Sequence, residues 1–196
     1  MRFPSAITCT ILSSICLFST PAFAGGKLRA EAVVGWDSVA QSTTSPVVNA
    51  FGSSKVNGTV YGGAIGYDLP VASILSIGAD AEINGSTGRH NFGSSYLRIG
   101  RDLYVGGRVS LKILPSTRIY GKLGYANGNF ASEAGYYGHG LSMIFSDNVN
   151  LSGIRAGAGI QQTIFGPAYV LAEYRYTNYS SGFTRNQVVT GVGVRF

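Results

Sequence analysis

The chain has two histidines, His90 and His139. His139 lies in YYGHGLS, with Ser142 just after it and Glu133 just before. Serine, histidine and a carboxylate are the types that could act as nucleophile, base and orienting acid in acyl transfer. That chemistry needs a frame rigid enough to hold the three groups within hydrogen-bond reach. Glycine and polar residues surround this segment, and no strand anchors a partner, so both histidines read as solvated loop residues. No catalytic residue is assigned. Phosphate-loop, zinc-ligand and calcium-loop spacings are missing from the sequence, so no cofactor- or metal-binding residue is assigned either.

A second pattern of chemistry-bearing residues is spread along the whole chain. Arg29 stands two residues from Glu31, Asp80 from Glu82 and Glu173 from Arg175; Arg108, Lys112, Arg118, Lys122, Arg155 and Arg195 are set apart from immediate acidic neighbours. A spacing of two keeps side chains on one face of an extended strand. The strand segments that carry them are KLRAEAVVGWD, LSIGADAEIN, RDLYVGGRVSLKI, RIYGKLGYAN, IRAGAGIQQ, YVLAEYRYTNY and the terminal TGVGVRF. TVYGGAIGYDL alternates in the same way and makes eight. In LSIGADAEIN, for example, Leu75, Ile77, Ala79, Ala81 and Ile83 oppose Ser76, Gly78, Asp80, Glu82 and Asn84.

Alternation alone does not say which face meets water. A soluble sandwich would turn the greasy face inward and solvate the charges; a membrane barrel inverts this. Three features favour inversion. Gly, Ala and Ser fill the polar face between its charges, as a narrow interior requires. Acids on some strands and bases on others suit an enclosed ion-pair network. The links also alternate in length. LPVASI, ILPST and TIFGPA are short and hold Pro70, Pro115 and Pro167, whereas those near 38–57, 85–98, 127–150 and 178–186 are long and polar. This is the asymmetry of tight turns at one end and longer loops at the other. Trp36, Tyr67, Tyr125, Tyr174, Tyr176 and Phe196 fall at or near strand ends, where interfacial rings belong. The expected fold is all-β, an eight-stranded antiparallel up-and-down transmembrane β-barrel, closed because an open edge would leave amides unpaired in hydrocarbon.

The first residues agree with export. Arg2, an apolar stretch and then Ala22-Phe23-Ala24 read as a signal peptide over 1–24 cleaved after Ala24, leaving 25–196 as the barrel domain. Cys9 and Cys16, the two cysteines of the chain, both lie in the leader, which excludes a disulfide framework from the remainder. Thr8 and Ile15 precede them, unlike the small residue a lipidated cysteine requires. Gly 28 and Tyr 12 are high and charged residues, at 12%, low, a composition of strands rather than of a soluble helical enzyme. The formal charge of +6 is not gathered into one basic run, and export argues against a nucleic-acid partner.

GGAIGYDLP, ILPSTRIYGKLGYAN, AEYRYTNY and GVGVRF resemble the outer-membrane β-barrel proteins of Gram-negative bacteria, of the OmpA-like and small porin-family type. The wording RDLYVGGRV is similar to alphaproteobacterial sequences. The resemblance covers about Leu28 to Phe196. It implies residence in the cell outer membrane among its lipids and lipopolysaccharide. It also implies recognition of a Phe-ended last strand, here Phe196, by the barrel assembly machinery. Members that tether to the cell wall carry a further peptidoglycan-binding domain; none follows here, so no tether is expected.

Eight strands enclose a space that side chains can fill, so the interior is expected to be plugged by Arg29, Glu31, Asp80, Glu82, Arg108, Lys112, Arg118, Lys122, Arg155, Glu173, Arg175 and Arg195, with Asp68 among them. The function read from this is structural and interactive, with four extracellular loops presented to a surface ligand and Lys55, Arg89, Arg98, Arg101 and Arg185 near lipopolysaccharide phosphates. Segment 127–150, with Phe130, Tyr136, Tyr137, Met143, Ile144 and Phe145, is either a contact surface or a continuation of the strands. One alternative is a narrow channel, weakly anion-selective because bases exceed acids. The remoter one, implied by enzymes among such barrels, is lipid A modification.

Overall fold

The structure, a computed structural model, describes residues 26–41, 55–92, 95–138, 141–180 and 182–196. The expected leader, Ala24, most of the first long link and His139 lie outside them, as do the side chains of His90, Glu133, Ser142, Lys55, Arg89 and Arg98. The strands are β1 Lys27–Gln41, β2 Lys55–Pro70, β3 Leu75–Ser86, β4 Arg89–Phe92, β5 Ser95–Lys112, β6 Thr117–Gly138, β7 Leu141–Phe165, β8 Ala168–Tyr179 and β9 Phe183–Arg195. All pairings are antiparallel. β4 is a short continuation of β3 along β5, so the wall has eight staves. β3 pairs with β5 and β1 with β9, and the sheet closes on itself.

The seam between first and last strands runs in unbroken register from Arg29↔Arg195 to Gln41↔Phe183. It is finished by the Phe196 N–H donating to the Leu28 carbonyl at 2.9 Å. Among the described residues no sheet edge is left where the eight staves run side by side, which is what a bilayer demands of β structure; beyond Gly153 the outer part of β7 pairs with β6 alone.

Short turns gather at the end that holds Lys27 and Arg195. The Val71 and Ile113 amides donate to the Leu75 and Thr117 carbonyls at 3.0 and 3.1 Å. The third turn is Gly166-Pro167, where Gly166 takes φ 50°, a left-handed angle that glycine adopts without a Cβ penalty. At the opposite end the outcome differs from the link lengths read off the sequence. The link expected near 127–150 is mostly strand, with β6 and β7 paired continuously from Asn127↔Ser152 to Gly138↔Leu141. The link expected near 178–186 narrows to 180–182, between β8 and β9. Ser, Asn and Thr mark loops in a soluble protein, but on the inward face of a barrel they are ordinary lining residues.

The two faces have opposite chemistry. Val105, Ile65, Leu123 and Ile154 point outward, more than 60% exposed, while Arg155, Arg175 and Arg185 are fully enclosed. Left in water, each such aliphatic side chain would forgo about 1.5–3 kcal/mol of burial; facing acyl chains, they lose nothing. The interior is not wholly polar. Val33, Val60, Leu171 and Val189 pack with Tyr169, and Val39, Leu151 and Tyr179 with Phe183.

Glycine makes room for the inward tyrosines. A Cβ on Gly106 would fall 2.5 Å from the Leu123 carbonyl oxygen and closer still to the Tyr104 hydroxyl. Gly159 and Gly193 leave the same space under Tyr120 and Tyr169. The Gly106→Val variant is expected to lose about 1–3 kcal/mol by overpacking, read as an earlier midpoint in urea-driven unfolding from lipid vesicles.

Candidate functional site

The charged interior is where the fold concentrates reactive groups, and it is organised in three levels. Nearest the short turns, the Arg29 guanidinium serves three carboxylates. It meets Glu31 at 2.7 Å, Asp68 at 2.8 Å and Asp80 in a closer contact. The Tyr169 hydroxyl donates to Glu31 at 2.7 Å, and Gln161 Nε2 donates to it at 3.0 Å. Arg195 Nη2 in turn donates to Gln161 Oε1 at 2.8 Å and stands 3.5 Å from Asp68. Arg108 lies 3.5 Å from Glu31 and 3.6 Å from Asp80.

At mid-height Lys122 sits between two glutamates, touching Glu82 and reaching Glu173 at 2.5 Å. Arg175 spans the same two carboxylates at 3.2 and 2.6 Å. The Tyr120 hydroxyl donates to Glu173 at 2.6 Å, and its ring carries the Arg108 guanidinium 3.5 Å from the centroid, close enough for a cation–π contact. Toward the far end, Asp102 receives Arg155 at 2.5 Å and Arg185 at 3.4 Å. Arg185 grips Asp37 with two parallel bonds of 2.7 Å, the bidentate geometry in which arginine and carboxylate fit best. Arg155 also donates from Nε to Thr177 at 2.8 Å and approaches Glu82 at 3.7 Å, which joins this level to the one below.

Ten of the twelve residues singled out for the interior therefore take part in the web: Arg29, Glu31, Asp80, Glu82, Arg108, Lys122, Arg155, Glu173, Arg175 and Arg195. Lys112 and Arg118 do not. Lys112 is exposed and Arg118 half-buried at the mouth by the short turns, where both line a cavity with Lys27 and Asp68. Alternation assigns them to the inward side but says nothing of where the inside ends. Arg185, expected at the outer rim, is instead enclosed, because the link before it is shorter than its composition suggests. Asp37 and Asp102, which the sequence reading left aside, are central. Their signal was their place on the polar faces of β1 and β5.

Expecting an excess of bases inside is also corrected. Seven carboxylates are buried (Glu31, Asp37, Asp68, Asp80, Glu82, Asp102 and Glu173) against the six bases Arg29, Arg108, Lys122, Arg155, Arg175 and Arg185. Arg195, half-buried and paired with Asp68, brings the count of ion-paired groups level at seven each. Charges in such a space must be paired to be tolerable at all, and every one of these carboxylates has a basic partner. Among the described residues no three His, Cys, Asp or Glu groups are placed to hold a metal ion.

A closed wall with an apolar outside and a polar inside is the arrangement of a membrane-spanning barrel. Residues 10–196 match the family model described as the outer membrane protein beta-barrel domain. The chain belongs to this family. It is an outer-membrane protein, and the match spans all the described staves.

Solved structures agree in fold. Ail, the attachment invasion locus protein of Yersinia pestis, superposes with a TM-score of 0.55 at 16% identity, over 86% of this chain and 98% of that one. A major outer membrane protein from Thermus thermophilus gives 0.53 at 12%, over 87% and 99%. Neisserial surface protein A gives 0.50 at 15%, over 88% and 98%. No curated protein matches the sequence.

Proposed function

We propose that the protein is a closed structural barrel whose working surface is its outward end, where it presents connections and a strand extension to a ligand at the cell surface. The observation that carries this reading is the neutral, three-level ion web, which occupies the space a solute would need. The β6–β7 extension past Asn127↔Ser152 supplies a paired outward arm, and its aromatic sequence suits contact with another surface. Arg101, exposed beside the register shift in β5, is positioned for lipopolysaccharide phosphate as a point charge. No catalytic role is assigned.

Purified, refolded protein in planar bilayers is expected to show a closed state or very small conductance. Steady large steps would favour the channel reading instead, and loss of a lipid A acyl chain dependent on His139 would favour the enzymatic one. Ail has been solved with the heparin analogue sucrose octasulfate. For this chain the matching test is cell or matrix binding with and without segment 130–148; unchanged binding would leave only the structural role.

Two steps of biogenesis belong to the same proposal. Removal of 1–24 after Ala24 is supported by the small-x-small sequence, and the intact mass of protein from outer membranes checks it. Phe196, exposed on the apolar face at the seam, is the ring read by the assembly machinery, and the assembled fraction of Phe196→Ala checks that.

A further inference from the structure

The interior charges cancel, yet the short-turn mouth carries bases left over. Lys27, Lys112 and Arg118 line one small cavity there, of about 80 Å³, formed where β1, β5 and β6 end beside the β2–β3 turn. Among the described residues the side chain of none of the three has an ion-pair or hydrogen-bond partner, and Lys112 and Arg118 are register neighbours. The single carboxylate in the wall, Asp68, is already held by Arg29 at 2.8 Å and Arg195 at 3.5 Å, so it does not neutralise them. Ser73 and Ser76 add hydroxyl donors to the same cavity.

Three like charges brought to one concavity repel each other unless an anion joins them. They come from sequence positions 27, 112 and 118 on three staves, so the fold itself assembles the cluster. A cavity of about 80 Å³ is on the scale of a phosphate or carboxylate group.

We propose that this mouth is a binding site for a phosphate group, held by Lys27, Lys112 and Arg118 with hydroxyl support from Ser73 and Ser76. In outer-membrane barrels the short-turn end faces the periplasm, so the group comes either from the phospholipid headgroups of the inner-facing leaflet or from a free phosphate. Arginine gives the planar fork and the two lysines act as mobile point charges.

The test uses the purified, folded full barrel. Inorganic phosphate is titrated calorimetrically at low salt, and retention of phosphatidylglycerol against phosphatidylcholine is counted by native mass spectrometry. The expected result is saturable binding of at least one probe at one site per barrel. It should weaken at least about tenfold in K112Q/R118Q and again at high salt, as for charge-assisted contacts. The charge-keeping K112R/R118K pair should retain it. Both variants alter mouth side chains outside the ion web, and heat-modifiable gel migration verifies that each is folded. Binding of phosphatidylglycerol alone assigns the site to a headgroup; binding of inorganic phosphate alone assigns it to a free anion. No saturable binding of either probe, or equal binding by the folded K112Q/R118Q variant, overturns the proposal.

Discussion

Asp102→Ala is expected to destabilise the folded barrel by about 3–5 kcal/mol, the usual cost of removing one partner from a buried charge cluster. Asp102 is fully buried and holds Arg155 at 2.5 Å, Arg185 at 3.4 Å and the Tyr179 hydroxyl at 3.4 Å. Losing it leaves the enclosed Arg155 guanidinium with Glu82 at 3.7 Å as its remaining carboxylate, and takes from Arg185 the second of its two acidic partners. The effect is asymmetric, since attraction within the web roughly offsets the cost of desolvating its members, whereas an orphaned charge keeps that cost uncompensated. Changing Arg155 to Leu in the Asp102→Leu background should therefore cost less than the sum of the single changes, with a coupling of about 0.5–3 kcal/mol. Reversible urea titrations in lipid vesicles measure this, with Trp36 as the reporter. It is the single tryptophan of the chain and faces outward, half-exposed. Additive single and double variants would mean that Asp102 and Arg155 are not coupled.

Ile65→Arg should be nearly as damaging for the opposite reason. Ile65 stands outward midway along β2, between Tyr61 and Leu69 on the same face, and is 63% exposed. An arginine at bilayer mid-height costs about 2–4 kcal/mol, and here it would have no carboxylate to meet. Leucine at the same position should be close to neutral. The pair of variants reads the orientation of the wall directly. If Ile65→Arg folded as stably as the parent in vesicles, the outward face would not be the lipid face.

Much of this architecture was legible in the sequence, because side chains in a regular strand alternate and a barrel keeps the alternation in phase around its circumference except at register shifts such as Ile99/Asp102. Arg29 with Glu31 and Glu173 with Arg175 are placed correctly by counting in twos. Counting fails at the ends. Lys112 and Arg118 have the right parity but lie past the level where neighbouring staves still enclose them. Arg185 was mistaken for a loop residue because TNYSSGFTRN contains the residues of a turn, and a barrel interior accepts the same types. The partners themselves were not legible. Nothing in the alternation says that Arg185 meets Asp37 rather than Glu173; that depends on the stagger between β1 and β9, fixed by Arg29↔Arg195 at one end of the seam. Nor did the pattern reveal that Asp102 would serve two arginines.

The web has a bearing on how the molecule comes into being. Arg185 and Asp37 are 148 positions apart along the chain, and Tyr169 and Glu31 are 138. Such partners meet only when the last staves dock on the first, so a partly zipped sheet holds local pairs such as Arg29–Glu31 and Glu173–Arg175 but leaves these long-range partners unmatched. The web is completed only at closure and, for a topology this non-local, assembly is slow. Contacts that form last act mainly on the rate of escape, and the finished protein should outlive by far the conditions that would merely tip its equilibrium.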